Sequence, residues 1–484
     1  MTLSTPSLLS LFSQTPQLAA GPYKLSTPVL LRGGLALLGG LLLLFWAGAG
    51  FLLVEARGGV RTITRDTAPS VIAAQQIRAG LSDLDASAVN AALLRGPAAD
   101  ASWKDFEFQQ RVLSDSLVTA AQNITYGDAE RGPVVEIAAS LQGYAGLIGQ
   151  ARAIPGDPNQ PTPPETTLAL LRRAGTLVSG QLMPAAEALN DVNETALETT
   201  WSLRKSVAWR DPLVLALIAF APLAVLIALQ VGLMRRTRRN LNPGLALASL
   251  ILVIGALVLG VSLLTSAHHL RIAKEDAFDS VRALWKARAA LYAANADESY
   301  FLLDPVHKAD YATRFATRIG LVAGSAFLDP GSRGVFVRRV GDYRNRKCMI
   351  ADPDARIRNA GYIGDELNNV TFDYECQEAA NLGYLLAAYI DIDEKIRALD
   401  AAGNRAGALA LDLGENPGES NYAFAKVNQE IGLLIYINQM AFEQNAATAT
   451  ADLAQAPYIL SGVALLVWLL AFLGLRPRLA EYRG

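Results

Sequence analysis

Four stretches of the chain are apolar over about 18 to 24 residues, the length a helix needs to cross roughly 30 Å of hydrocarbon at 1.5 Å per residue. They run from Gly33 to Val54, Pro212 to Met234, Pro243 to Ser266 and Tyr458 to Leu475, and none contains Asp, Glu, Lys or Arg. Spans without charge carry no mark of a proton relay or ion path, so the membrane part reads as scaffold. The first window is longer than the roughly 7 to 15 apolar residues of a signal peptide and follows a barely basic segment, so a retained span is expected. A composition 51% hydrophobic and 18% charged agrees with a chain that faces lipid.

Charge sets the expected orientation. The second and third windows are joined by a loop too short to fold that carries Arg235, Arg236, Arg238 and Arg239. Cytoplasmic loops collect arginine and lysine, which puts this loop, the N-terminus and the tail with Arg476, Arg478 and Arg483 inside. The expected map is a cytoplasmic segment 1–32, span 33–54, outer domain 55–211, span 212–234, basic loop 235–242, span 243–266, outer domain 267–456, span 457–475 and cytoplasmic tail 476–484. The setting is a bacterial cytoplasmic membrane. The loop arginines are candidate contacts for a cytoplasmic partner, and anchoring to lipid is the other reading.

The two outer domains repeat. An offset of 210 places Arg61 on Arg271, Arg78-Ala79 on Arg288-Ala289 and Leu81 on Leu291; an offset of 245 places Tyr144 on Tyr389 and Arg152 on Arg397. The second domain has therefore gained about 35 residues between its first and third helices. Apolar residues recur at helical spacing, as in Val71, Ile72, Ile77, Leu81 and Leu84, with breakers at Gly96-Pro97, Gly127 to Pro133, Pro155 to Pro164, Asp304-Pro305, Asp329 to Gly331, Gly403-Asn404 and Gly414 to Gly418. The predicted fold is all-α: four transmembrane helices and two extracytoplasmic four-helix bundles from an internal duplication. An insert of about 331–376 in the second bundle reads as a loop or hairpin around Val335-Phe336-Val337. The chain's two cysteines, Cys348 and Cys376, fall in it. An oxidising exterior makes a bridge between them the expectation, with two buried thiols as the other reading.

Chemistry is scarce. A net charge of −2 argues against nucleic-acid binding, and the three histidines and two cysteines do not sit at metal-ligand spacing. No P-loop, dinucleotide turn, nucleophile elbow or HExxH pattern occurs, so neither an enzyme nor a cofactor is expected. The carboxylates read as solvated helix faces. Six residues stand out because both domains carry them. Arg78 and Arg288 lie among apolar neighbours on the first helices, and Tyr144 with Arg152, and Tyr389 with Arg397, share a helix face eight residues apart. Each set could hold an anionic ligand, or could be a salt bridge inside the bundle. Ser420 reads as a helix N-cap.

The wording WKARAALYAANADESYFLLD from Trp285 to Asp304, GYAGLIGQARA from Gly143 to Ala153 and NPGESNYAF from Asn416 to Phe424 is similar to the GlnX-type membrane proteins of actinobacteria. The order span, bundle, span also resembles the ligand-binding half of bacterial chemoreceptors. The resemblance implies a non-enzymatic coupling of an extracytoplasmic amino-acid-binding protein to a cytoplasmic serine/threonine kinase, and the cysteine-bearing insert departs from that pattern. The expected function is thus a transmembrane sensor relaying an outer solute or solute-binding protein to a separate inner partner. The alternative is a structural or accessory subunit of a transporter or secretion assembly. Membrane lipid is an expected partner, and the oligomeric state is left open.

Overall fold

The polar residue Glu55 that ends the first apolar window does not end its helix. In the computed structural model, which describes residues 26–94, 96–155, 163–237, 241–345 and 360–480, α1 (Thr27–Arg61) runs through a π-helical segment, Thr62–Thr67, into α2 (Ala68–Leu93) as one rod of 67 residues. There follow α3 (Pro97–Gln122), α4 (Asp128–Ala153), α5 (Glu165–Leu177), a π segment Val178–Leu182, α6 (Met183–Val207) and α7 (Arg210–Thr237). Next, α8 (Pro243–Arg271) continues through a π segment, Ile272–Phe278, into α9 (Asp279–Leu303). The rest comprises α10 (Lys308–Ala323), α11 (Pro330–Asn345), α12 (Gly361–Leu367), α13 (Glu375–Ala401), α14 (Arg405–Leu413), α15 (Ser420–Ala454) and α16 (Ala456–Ala480). No strand occurs among the described residues.

The chain divides into two units, and each is built by a different rule. The first comprises Met1–Gly50, Leu215–Val258 and Tyr458–Gly484 and contains most of the four windows, all on helices long and apolar enough to cross a membrane. Small residues allow a close crossing, since a Cβ on Gly244 would lie 2.8 Å from the Cα of Gly474. Asn242 fastens that crossing: its side-chain oxygen accepts from the N–H groups of Gly244 and Leu245, and its amide donates to the Gly474 carbonyl at 2.8 Å.

The second unit, Phe51–Val214 with Leu259–Pro457, holds both bundles. Helices break where glycine supplies a left-handed backbone, at Gly96 (φ 61°), Gly127 (φ 66°) and Gly403 (φ 79°). Pro133 lies inside α4 instead of at its break. Ser420 is not the cap of α15; Glu419 holds that position, and the Ser420 hydroxyl donates to buried Glu298. The hairpin expected around Val335 is helical, being part of α11, because Phe336 and Val340, one turn apart, both bury against Gly383 on α13. Cys348 lies outside the described residues, and with it the expected bridge to Cys376 at the start of α13.

The two bundles share packing. Helices α2 and α9 lie against each other, and the core of the first bundle takes in Ala296, Tyr300, Leu303 and Tyr311 of the second. Ion pairs fasten the same seam: Glu194 meets Lys286 at 3.2 Å and Arg282 at 2.5 Å, and Glu198 meets Lys274 at 2.7 Å. Two further features recur between the bundles. The π segments begin 210 residues apart, at Thr62 and Ile272. The turns Asn123-Ile124-Thr125-Tyr126 and Asn369-Val370-Thr371-Phe372 each precede the bundle's next long helix, and in each a glutamate, Glu130 or Glu375, accepts both backbone N–H groups at the Thr and aromatic positions. Asn369 also donates to the carbonyls of Glu275 and Asp276, groups in the second π segment.

Candidate functional site: a cleft between the bundles

Where α2 meets α9, small residues leave space. Ala289, Ala290 and Ala293 form the floor on α9, with Ser82 on α2 and Gly175 and Ser179 on the α5 side, and the cleft between them encloses about 510 Å³. A Cβ on Gly175 would crowd the Tyr300 hydroxyl oxygen at 3.2 Å. At the 210-residue offset Ser82 and Ala293 fall on Tyr292 and Asp83, both larger side chains.

The walls are charged, and both bundles supply them. Asp297 on α9 is 2% exposed and receives Arg314 at 3.0 Å and Arg318 at 2.8 Å, both from α10. Arg314 also stacks on Tyr311 at 4.4 Å, and Arg318 donates to the Ala293 carbonyl. Asp85 on α2 accepts from the buried Tyr144 hydroxyl at 3.2 Å. Burial pushes the carboxyls of Asp85 and Asp297 up to about 6 each, against the arginines that pull them down. Burial beside Asp85 also pushes the Tyr300 hydroxyl up. At one end Arg172 is held by Glu165 at 2.8 Å within α5 and by Asp304 at 2.7 Å, the latter bond spanning the two bundles.

Of the residues singled out from sequence, Arg78 lines this cleft. It reaches Glu187 at 3.3 Å and Gln75 at 3.2 Å, and its Nε is buried without a partner. Arg288 does not line it; its guanidinium lies over Trp285 and Tyr292, at 5.2 and 5.8 Å, beside Asp83. The Tyr–Arg pairs do not converge. Tyr144 is buried with its hydroxyl on Asp85, whereas Arg152 lies half exposed over Trp103 at 5.0 Å and pairs with Glu107 at 2.9 Å. Tyr389 donates to Glu298 at 2.7 Å, while Arg397 pairs with Asp393 at 2.7 Å and stacks on Phe301 and Phe315. Eight residues along a helix is about 12 Å, too far for one small ligand to bridge both side chains when each already has its own partner. Arg235, at the end of α7, is exposed, and Arg238 and Arg239 lie outside the described residues, as does the side chain of Arg236.

Solvated carboxylates were also expected, and several are buried instead: Asp297, Glu298, Asp304, Glu366, Glu375, Asp393 and Asp412 are each at most 3% exposed. The signal missed was their placement. Asp297 and Glu298 sit in the last two turns of α9, a helix whose other faces are covered by α2, α10 and α15, so few positions on it reach water.

Residues 59–202, well under half of the chain, match a family model described as the actinobacterial sensor domain, Sensor_actino. No curated protein and no solved structure matches the chain. The matched stretch covers α2 to α5 and nearly all of α6, so the first bundle of this membrane protein is the part similar to an actinobacterial sensor domain.

Proposed function

We propose that the protein is a non-enzymatic transmembrane sensor in which a small polar solute enters the cleft between the bundles and shifts α2 against α9. The observation that carries this reading is the origin of those two helices. Each is the far end of a rod that begins in an apolar window, Thr27–Leu93 and Pro243–Leu303, so a displacement at the cleft acts on helices that enter the membrane. The sensor-domain match over the first bundle supports the same role. In this reading both bundles are extracytoplasmic, arose by duplication, and carry the Cys348–Cys376 bridge in the second. The arginines from Arg235 to Arg239 then face a separate cytoplasmic partner, for which the resemblance suggests a serine/threonine kinase, with an amino-acid-binding protein outside. The alternative of a purely structural subunit predicts fully paired arginines and no polar cavity, which the unpartnered Nε of Arg78 and the open cleft weigh against.

The test is thermal unfolding of the full-length protein in nanodiscs against a panel of amino acids and organic acids. A member of the panel should raise the melting temperature, and Ser82→Tyr, which places in the cleft the side chain found at the related position, should abolish that rise without lowering the unliganded melting point. A rise that survives Ser82→Tyr would move the site elsewhere.

A further inference from the structure

A second cavity lies in the helical unit close in sequence to the apolar windows. It encloses about 100 Å³ among α1, α6 and α8, with walls from Val60, Trp201, Leu263 and Leu270 and with Arg204, Lys205 and Arg271 around it. Lys205 precedes Pro212 by about two helical turns, and Leu270 follows Ser266 by about one, so these residues stand within about 10 Å of the window ends. The headgroup layer adds roughly 5 to 7 Å beyond the hydrocarbon on each side, so Leu270, about 6 Å past Ser266, falls within it and Lys205 at its outer edge. Trp209, 66% exposed and three residues before Pro212, is placed as interfacial aromatics are.

Arg204 is built into this place and left incompletely bonded. Its stem lies on Gly59, where a Cβ would come within 2.3 Å of the Arg204 Cδ, so any larger residue there would displace it. Its side chain is 11% exposed and its Nε is buried with no partner. Its one carboxylate contact, Asp211 at 3.4 Å, is long for a charge-assisted bond and is shared with Arg210 at 3.4 Å. The neighbouring cations are better paired, Lys205 with Glu275 at 2.5 Å and Arg271 with Asp276 at 3.2 Å. Both of those acids belong to the second π segment, whose carbonyls Asn369 holds.

The geometry points to a binding site for the phosphate of an anionic phospholipid, with Arg204 as the principal donor, Lys205 and Arg271 beside it, and the glycerol end of the lipid against the apolar wall. A guanidinium offers five donors in a fork suited to a phosphate, and here the Nε donor has no partner and the bond to Asp211 is long. The crevice is too small for a soluble metabolite of any size and apolar enough for the first methylenes of a lipid. An occupying phosphate competes with Glu275 and Asp276 for Lys205 and Arg271, so the bilayer's lipid composition acts on the π segment that leads into α9.

Native mass spectrometry of the delipidated full-length protein in detergent, titrated with phosphatidylglycerol, phosphatidylcholine or inorganic phosphate, tests the site. Phosphatidylglycerol should bind, with its dissociation constant weakened by about tenfold in Arg204→Gln, the loss expected for one charge-assisted contact. Gly59→Ala, which keeps every charge but displaces the Arg204 stem, should weaken it as well, and Lys104→Ala on a distant exposed surface should not. Should Arg204→Gln fail to fold, Gly59→Ala decides. Undiminished lipid binding in both variants overturns the proposal. Equal binding of phosphatidylcholine overturns the anionic class, and displacement of the lipid by millimolar inorganic phosphate shows a free-anion site instead.

Discussion

Replacing Asp85 with asparagine removes a charge from the middle of the cleft while leaving an oxygen for the Tyr144 hydroxyl to donate to. Burial raises this carboxyl from 3.8 to about 6, and each pKa unit corresponds to about 1.4 kcal/mol. The folded state therefore keeps a proton that the unfolded chain has lost between those values, so this group's contribution to stability is complete below 3.8 and is lost as pH rises through about 6. Above that, holding Asp85 ionised costs the folded state about 3 kcal/mol, a figure that already includes the attraction of Arg318 and Arg314. Asp85→Asn should accordingly stabilise the helical unit by up to about 3 kcal/mol at pH 8, about 4 °C in a unit of this size, and change nothing near pH 4. Tryptophan-fluorescence melts of the full-length parent and variant at pH 4, 6 and 8 measure the gap. A variant less stable than the parent by the same amount at every pH would refute the reasoning, because Asp85 would then be acting as an ion-pair partner whose charge the fold needs.

Arg78→Leu should cost about 1 to 2 kcal/mol of stability, because buried Gln75 loses its donor while Glu187, with a side chain 56% exposed, returns to water; a loss of about 4 kcal/mol or more in the same melts would mean a buried carboxylate had been stranded. The solute-induced rise in melting temperature should shrink in this variant. In a background with Cys348 and Cys376 replaced by serine, a cysteine at Ser114 should react with an impermeant maleimide in whole cells and one at Leu241 should not, and the reverse pattern would invert the proposed orientation. Non-reducing peptide mapping should find Cys348 joined to Cys376, closing a loop of about 28 residues worth about 3 kcal/mol, whereas two alkylatable thiols would remove the bridge.

Some of this architecture follows from sequence because its cause is local. The apolar windows are long enough to be membrane helices whatever surrounds them, and Gly96, Gly127 and Gly403 mark breaks between helices because they adopt a left-handed backbone that other residues resist. The 210-residue offset that aligns Arg78 with Arg288 also aligns the two π segments, a feature no periodicity argument reveals. Helical spacing likewise tells that one face of α2 and one of α9 is apolar. It does not tell that those faces meet each other, and the cleft exists only because they do. The same limit misplaced the carboxylates: Asp297 reads as a solvated residue until α10 brings Arg314 and Arg318 to it from a separate helix. Tyr144 and Arg152 share a face by register, yet their partners, Asp85 and Glu107, come from α2 and α3. Which side chains are buried, paired or left with an open donor depends on long-range packing, and the unpartnered Nε atoms of Arg78 and Arg204 were decided there alone.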